Sequence, residues 1–336
     1  MSPVSDADLQ QSSLRHYWYP VVRPEEVGDA PLGARLLGEP LVLFRSHGRV
    51  VAFKDLCVHR GTRLSRGWIE DGQIVCAYHG WCYAPDGACV RIPSLEPDQP
   101  IPRKARATVY RTAERYGLIW VCLAEPHAPL PELPELEDPT LHTSWLYEAP
   151  DDEGAFWQTS PGRMVENFID SSHFAWVHPG IFGRRDMPRI PSFEIERRDG
   201  ELRWELDVPV PSGGMMWGVA RHRYRLVFPF NPQLTRVMPE GKRVVVTLVV
   251  TPIATNRIRR HVYVSRDFSL DMPDSKFVAI VRPATEQDRA VVESQRPEEL
   301  PIDLGEELHV RGPDAPSIEF RRMLAAIGVE GPTVTA

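Results

Sequence analysis

The sequence predicts an α+β protein: a small all-β domain over residues 17–125, a proline-rich linker over 126–143, and a larger α+β domain over 144–336 whose antiparallel sheet is flanked by helices. Three observations carry this. From Leu36 to Val90, short apolar runs such as PLVLF and VVAF alternate with turn signals, among them Asp71-Gly72 and Asp86-Gly87, the pattern of antiparallel hairpins. Five prolines and no glycine fall between Pro126 and Pro139, a composition that keeps a chain extended and semi-rigid. Beyond it, period-two alternation recurs with helical patterns on either side.

The elements follow in order. Tyr116-Gly117 and the apolar run to Val121 close the first domain. In the second, FEIERRDGELRWELDVPV alternates across an Asp199-Gly200 turn, and RYRLVF, RVVVTLVV and RHVYVS read as further strands. Helical patterns run over Arg163 to Trp176, Thr285 to Gln295 and Pro316 to Ile327, the last with Asp314 or Ser317 as its cap. No internal repeat or low-complexity segment interrupts them.

With 336 residues, two domains can each bury a core. A net charge of −7 and a pI near 5.9 argue against broad attachment to nucleic acid or an anionic membrane. The longest apolar run, around Val244 to Val250, is far shorter than the roughly 20 residues that cross a bilayer. The N-terminal MSPVSDADLQQ shows no basic and apolar leader, so the expected location is cytoplasmic. Five cysteines, two of them spaced with histidines, point to metal binding in a reducing compartment.

Cys57-Val58-His59 and Cys76-Ala77-Tyr78-His79 form a C-x-H and C-x-x-H pair. Two thiolates and two imidazoles suit a [2Fe–2S] cluster whose one iron is held by Cys and the other by His, with a raised reduction potential. Zinc uses the same ligand types, but its usual pairs keep Cys with Cys and His with His. Here each half mixes the two. Gly61 and Gly80 beside the halves let backbone N–H groups approach the cluster sulfurs. Cys82, Cys89 and Cys122 read as small buried residues.

CVHRG and CAYHGWCYAPDG, with Arg60, Gly61, Gly80 and Trp81, resemble the cluster-binding signature of Rieske non-heme iron oxygenases. Thr62 and Tyr78 stand where respiratory Rieske proteins carry a disulfide, which favours the oxygenase type.

A second constellation lies in Glu166 to His178. Asn167, Asp170 and His173 fall at i, i+3 steps, near one face of a helix. His178 points away from that face, so the two histidines share an ion only if the helix bends or ends between them, and Pro179-Gly180 signals such an end. A carboxylate would complete a facial triad for ferrous iron. Asp288 is the best candidate, since a helical Thr285–Gln295 turns it inward with Ala284, Val291 and Val292, and a metal offsets the cost of burying it. Glu286 and Asp303 are rivals.

The resemblance runs from His16-Tyr17-Trp18-Tyr19-Pro20 to the C-terminal DAPSIEFRRML. It implies that His173 and His178 are iron ligands with Asp288 as the third, and that Asn167 orients the site. It further implies head-to-tail homotrimers in which Asp170 links His79 of one chain to His173 of the next. The length and histidine spacing look closest to homotrimeric members that hydroxylate or demethylate small substrates, rather than to dioxygenases with a second subunit type. The leading expectation is a terminal oxygenase that hydroxylates a small aromatic or polycyclic compound with O2. O- or N-demethylation is the alternative, and an electron-transfer or regulatory protein with an inactive second site is another.

No G-x-G-x-x-G follows a strand, so electrons from NAD(P)H require a separate reductase, with or without a ferredoxin. Lys54, Arg60, Arg63, Arg66, Arg103, Lys104 and Arg106 make the cluster domain locally basic, a surface that would steer an acidic donor. Trp176, Phe182, Met215, Met216 and Trp217 are apolar candidates for the substrate pocket.

Overall fold

A computed structural model describes residues 9, 12–147, 149, 151–179, 181–211, 217–238 and 240–333. These fall into two compact units: residues 15–129, and residues 130 onward together with the described residues before Arg15. The expected linker does not stand apart, because from Leu130 it belongs to the second unit. The strand His142–Trp145 lies across the expected start of that unit and pairs with Arg257–Arg266.

The first unit is all β apart from short 3-10 turns. One six-stranded sheet runs, in spatial order, Tyr19–Val22, Leu118–Cys122, Val109–Arg115, Arg49–Lys54, Glu39–Ser46 and Leu32–Leu36. In a four-stranded sheet of Trp68–Glu70, Gln73–Val75, Cys82–Tyr83 and Cys89–Arg91, Cys76 to His79 form the loop between the second and third strands, while Cys57 to His59 lie in the segment that leads from Arg49–Lys54 to the first. Asp71 and Gly72 both take positive φ (48° and 73°), the two-residue turn whose twist suits a hairpin. Val42, Phe44, Phe53, Ile74 and Tyr83 pack into one core with Cys57 and Cys76. Fully burying each aliphatic or Phe side chain contributes about 1.5–3 kcal/mol, and the cysteine-bearing loops are seated on this core.

The second unit is built on an eight-stranded antiparallel sheet. In spatial order its main path is His142–Trp145, Arg257–Arg266, Arg243–Ala254, Asn231–Val237, Trp217–Val227, Glu201–Pro211 and Glu196–Arg198, with Phe156–Trp157 also on Arg257–Arg266. The Asp199-Gly200 hairpin forms where alternation places it. Asn231–Val237 adds a strand the pattern does not announce, since Pro232 within it reads as a strand breaker.

Among the described residues, four α-helices flank the sheet: α1 Pro161–Ile169, α2 Phe174–Val177, α3 Asp274–Val292 and α4 Ala315–Ala326. The single helix expected over Arg163 to Trp176 is therefore two. Asp170 ends α1 in extended backbone (φ −81°, ψ 133°), and its carboxylate accepts the N–H groups of Ser172 at 2.7 Å and His173 at 3.1 Å. Such local side-chain bonds compete with the helical ladder and turn the chain.

Helix α3 starts well before Thr285, because Pro283 sits inside it and does not stop it. Its first turn is anchored by the fully buried Arg266, which donates to Asp274 at 3.1 Å and to the Met272 carbonyl at 2.9 Å. Asp274 also complements the helix dipole there. Helix α4 has Asp314 at its cap position, but that carboxylate accepts the Val310 N–H instead, and Ser317 lies within the helix.

Buried ion pairs lock the helices together. Arg321 of α4 donates to Glu166 of α1 at 2.6 and 2.9 Å and also to Glu307, while Arg163 of α1 reaches Glu307 at 2.8 Å. Removing one partner of such a network costs about 3–5 kcal/mol, because it strands a charge. The network fixes α1, and with it Asn167.

Candidate metal centres

In the first unit the two motif halves fold into matching loops. Gly61 N–H donates to the Cys57 carbonyl at 2.9 Å and Gly80 N–H to that of Cys76 at 3.0 Å; in return, Cys57 N–H donates to Thr62 and Cys76 N–H to Trp81. Gly61 and Gly80 take positive φ (74° and 69°), a conformation that costs a glycine little. Each loop thus presents its Cys inward and its His outward.

Cys57 and Cys76 are buried free thiols. The rings of His59 and His79 stand 4.5 Å apart, and Trp81 stacks on His59 at 4.5 Å. The Nδ1 of His59 is buried with no hydrogen-bond partner. A buried imidazole nitrogen without a partner is expensive unless it binds something. Burial pushes the Cys76 thiol up, and the adjacent Cys57 adds to the rise. Two packed thiols with two converging imidazoles fit a cluster that takes two ligands of each kind. Tyr83 adds a feature the spacing does not signal: its hydroxyl lies 3.1 Å from the Cys57 sulfur. Burial pushes that phenol up, so it stays protonated and is able to donate to a thiolate at Cys57.

In the second unit, His173, His178 and Asp288 offer three ligand atoms within 4.8 Å of one another. His173 stands just before α2 and His178 just after it, so the short helix brings both imidazoles to one side. Asp288 enters from α3. Its Oδ1 is 3.0 Å from His178 Nε2 and 3.4 Å from His173 Nε2.

The other ring nitrogens are committed elsewhere. His173 Nδ1 meets Asp170 Oδ2 at 3.0 Å, and His178 Nδ1 donates to Gln287 Oε1 at 2.8 Å. Both Nε2 atoms then face a carboxylate oxygen, and a bound metal ion or a proton on the imidazole reconciles the three acceptors. All three donor atoms are close enough together to share one ion. Burial opposes protonation of His178, yet the hydrogen bond and charge of Asp288 outweigh it and lift its pKa above the ordinary imidazole value. For Asp170, burial pushes up, but His173 and the two backbone N–H groups hold it below the usual carboxylate range.

Asn167 Nδ2 donates to Asp288 Oδ1 at 3.4 Å. Tyr224 on the sheet holds Ser171 at 2.9 Å and so pins the turn between α1 and α2. The rivals are engaged elsewhere: Glu286 accepts from Tyr147 at 3.3 Å, and Asp303 accepts the Gly305 N–H in an exposed turn. Asp288 shares its inward face with buried Ala284 and Val292, whereas Val291 is exposed.

Beside this triad lies a cavity of about 450 Å³. Its floor is one sheet face, on which register aligns Leu234 with Val246, Arg236 with Val244 and Leu248 with Val262. Its walls include Met164 and Phe168 of α1 and Phe277, Val281 and Ala284 of α3. Phe182 lines it as expected, but Trp176 is 57% exposed and lies outside it. Met215 and Met216 and the side chain of Trp217 lie outside the described residues. Two cavity residues, Arg236 and Arg260, have no counterpart in the sequence reading. The signal was present for Arg236, because strict alternation puts it between Leu234 and Met238 on an apolar face.

In the first unit, Arg60, Arg63, Arg66, Arg103 and Lys104 are exposed, with no ion pair among the described residues, while Lys54 pairs with Glu39 and Arg106 with Asp86. No described helix is long and apolar enough to cross a membrane.

Comparison with known families places these features in a wider set. The Rieske [2Fe-2S] domain profile matches residues 17–111, and the vanillate O-demethylase oxygenase C-terminal domain profile matches residues 157–330. The chain is 31% identical to methylxanthine N1-demethylase NdmA of Pseudomonas putida over 327 residues, covering 94% of this chain and 89% of that protein. It is 30% identical over 336 residues to methylxanthine N3-demethylase NdmB of the same organism, covering 95% and 91%. A solved structure of Pseudomonas putida CBB5 NdmA with caffeine superposes with a TM-score of 0.81 at 30% identity, covering 93% of this chain and 90% of that one.

Proposed function

Since the chain belongs to the Rieske oxygenases whose C-terminal domain is of the vanillate O-demethylase type, we propose that Cys57, His59, Cys76 and His79 hold its [2Fe–2S] cluster and that His173, His178 and Asp288 hold its mononuclear iron. The observation that supports this most is the meeting of two imidazole Nε2 atoms and one carboxylate oxygen at the edge of an apolar cavity. When bound, the two groups supply stored electrons and O2 activation. Family members draw those electrons from a reductase, so NAD(P)H is used indirectly.

This chain's own residues do the rest. Asp170 and Gln287 fix the two imidazoles with Nε2 facing the ion, which also raises ligand basicity. Asn167 restrains the Asp288 carboxylate. The apolar walls exclude water and orient a small aromatic or polycyclic substrate, one of whose C–H bonds is oxidised. In a head-to-tail homotrimer, Asp170 would bridge to the exposed His79 of a second copy, and the unpaired arginines near the cluster would receive an acidic electron donor. The C-terminal profile and both relatives favour a carbon attached to oxygen or nitrogen, whose hydroxylation releases the methyl group as formaldehyde.

The test is aerobic incubation of iron-loaded protein with a reductase, NADH and a panel of methoxy- and N-methyl-substituted arenes. About three iron atoms per chain, substrate-dependent O2 uptake and formaldehyde are expected. Two iron atoms per chain with no O2 uptake would overturn the oxygenase reading, and a hydroxylated product without formaldehyde would restrict it to ring or side-chain hydroxylation.

A further inference from the structure

Among the described residues, one cation that lines the cavity has no counter-charge. Arg236 lines it from the sheet floor, and burial lowers its pKa to about 10, so it remains charged at neutral pH. Its Nε donates to His222 Nε2 at 3.2 Å. His222 is fully buried, and burial together with Arg236 pushes its pKa well below the ordinary value, so it orients the guanidinium without neutralising it. Among the described residues no carboxylate lies within ion-pair distance of Arg236, and its two terminal amino groups have no protein acceptor.

Arg236 is partly exposed, and the buried arginines of this unit are treated differently. Arg163 and Arg321 share Glu307, and Arg266 has Asp274. Arg260, also on the cavity wall, is spent on Tyr147, on the Gly154 carbonyl at 2.7 Å and on the face of Trp157 at 3.6 Å. The carboxylates on the cavity lining are Asp288, engaged with the histidines, and the exposed Glu240, which has Lys242 at 3.8 Å. A charge set on an apolar cavity wall without a counter-ion is costly to keep. A ligand that supplies the missing acceptor turns that cost into selectivity.

The position suits such a ligand. The Arg236 guanidinium stacks over Phe182 at 4.5 Å, and the Phe182 ring meets that of His178 at 5.3 Å. One aromatic ring therefore separates the cation from the histidine pair. Planar guanidinium forks match carboxylates in two-point contact, and the rest of the lining is apolar.

We propose that the substrate of this site is an aromatic carboxylate, with Arg236 as the residue that selects its anionic group and thereby presents the far side of the ring to the histidine–carboxylate triad. This rests on the oxygenase reading above but concerns binding, which is measured without turnover.

The experiment is calorimetric titration of the iron-loaded protein at pH 7.5 with the three methoxybenzoates and their isosteric, uncharged methoxybenzamides. It is repeated on Arg236→Gln and Arg236→Lys, with circular dichroism and iron content as checks on folding. At least one benzoate should bind at least about 30-fold more tightly than its amide, and Arg236→Gln should erase that preference while Arg236→Lys keeps part of it. Equal binding of acid and amide, no saturable binding of any benzoate, or an unchanged preference in a folded Arg236→Gln overturns the proposal. Should Arg236→Gln fail to fold, the comparison of acid, amide and Arg236→Lys decides alone. Substrate-dependent O2 uptake driven by neutral arenes, with benzoates inert, would defeat the anion assignment and leave the oxygenase reading standing.

Discussion

The two metal sites of this chain are put together from different distances. The cluster residues, Cys57 to His79, come from two loops joined by one short hairpin segment, and each loop closes on itself through a backbone bond from Gly61 or Gly80 to its own cysteine. The iron-site residues come from either side of the four-residue helix α2 and from α3, and they meet only when α3 is docked by Arg266, Arg282 and Arg289. A site written into local loops survives as long as its hairpins do. A site written across distant helices depends on the packing of the whole second unit.

The sharpest way to break that contrast is Asp288→Ala. If the carboxylate from α3 is the third ligand, the variant keeps the visible absorption of the cluster but falls to about two iron atoms per chain, with turnover reduced by more than about 100-fold, beyond what loss of an outer partner causes. Iron analysis and visible spectroscopy on one sample check it. Three iron atoms in the variant would show that the histidine pair finds its acid elsewhere.

The same contrast explains what was legible beforehand. The mixed Cys–His spacing and the turn glycines sit within one short stretch, so their geometry could be read from order alone. Asp288 was reachable because helical periodicity turns it inward, although the helix begins eleven residues before Thr285 and only Arg266 and the packing of its first half show why Pro283 does not end it. The break of the first helix at Asp170 was not legible, since the carboxylate that causes it was already assigned another task. Gln287 left no trace at all: beside Asp288 on a helix it points about 100° away, and only the placement of His178 beneath α3 gives it a partner.

Gln287 therefore offers the next test. Gln287→Leu removes the acceptor that fixes the His178 ring while leaving every ligand in place. Metal affinity should fall by about 10–100-fold, read by competition with a chelator, and the cluster should be untouched. An unchanged affinity would mean that α2 alone orients His178, which would make the iron site nearly as local as the cluster.

The smallest effect should come from Tyr83, the part of the cluster environment that the motif spacing does not signal. Its hydroxyl lies 3.1 Å from the Cys57 sulfur, placed to donate to that sulfur as a cluster-bound thiolate, and a donor at sulfur stabilises the reduced, more negative cluster. Tyr83→Phe deletes this bond in a buried position and adds no atom, so the core around Phe44 and Phe53 keeps its packing. A bond of about 1 kcal/mol corresponds to roughly 40 mV for a one-electron couple, and the sign is downward, since the reduced state loses more than the oxidised one. Protein-film voltammetry on the variant measures it directly. A potential that stays put would mean that the phenol binds thiolate equally in both states, leaving the two backbone loops to set the cluster's poise.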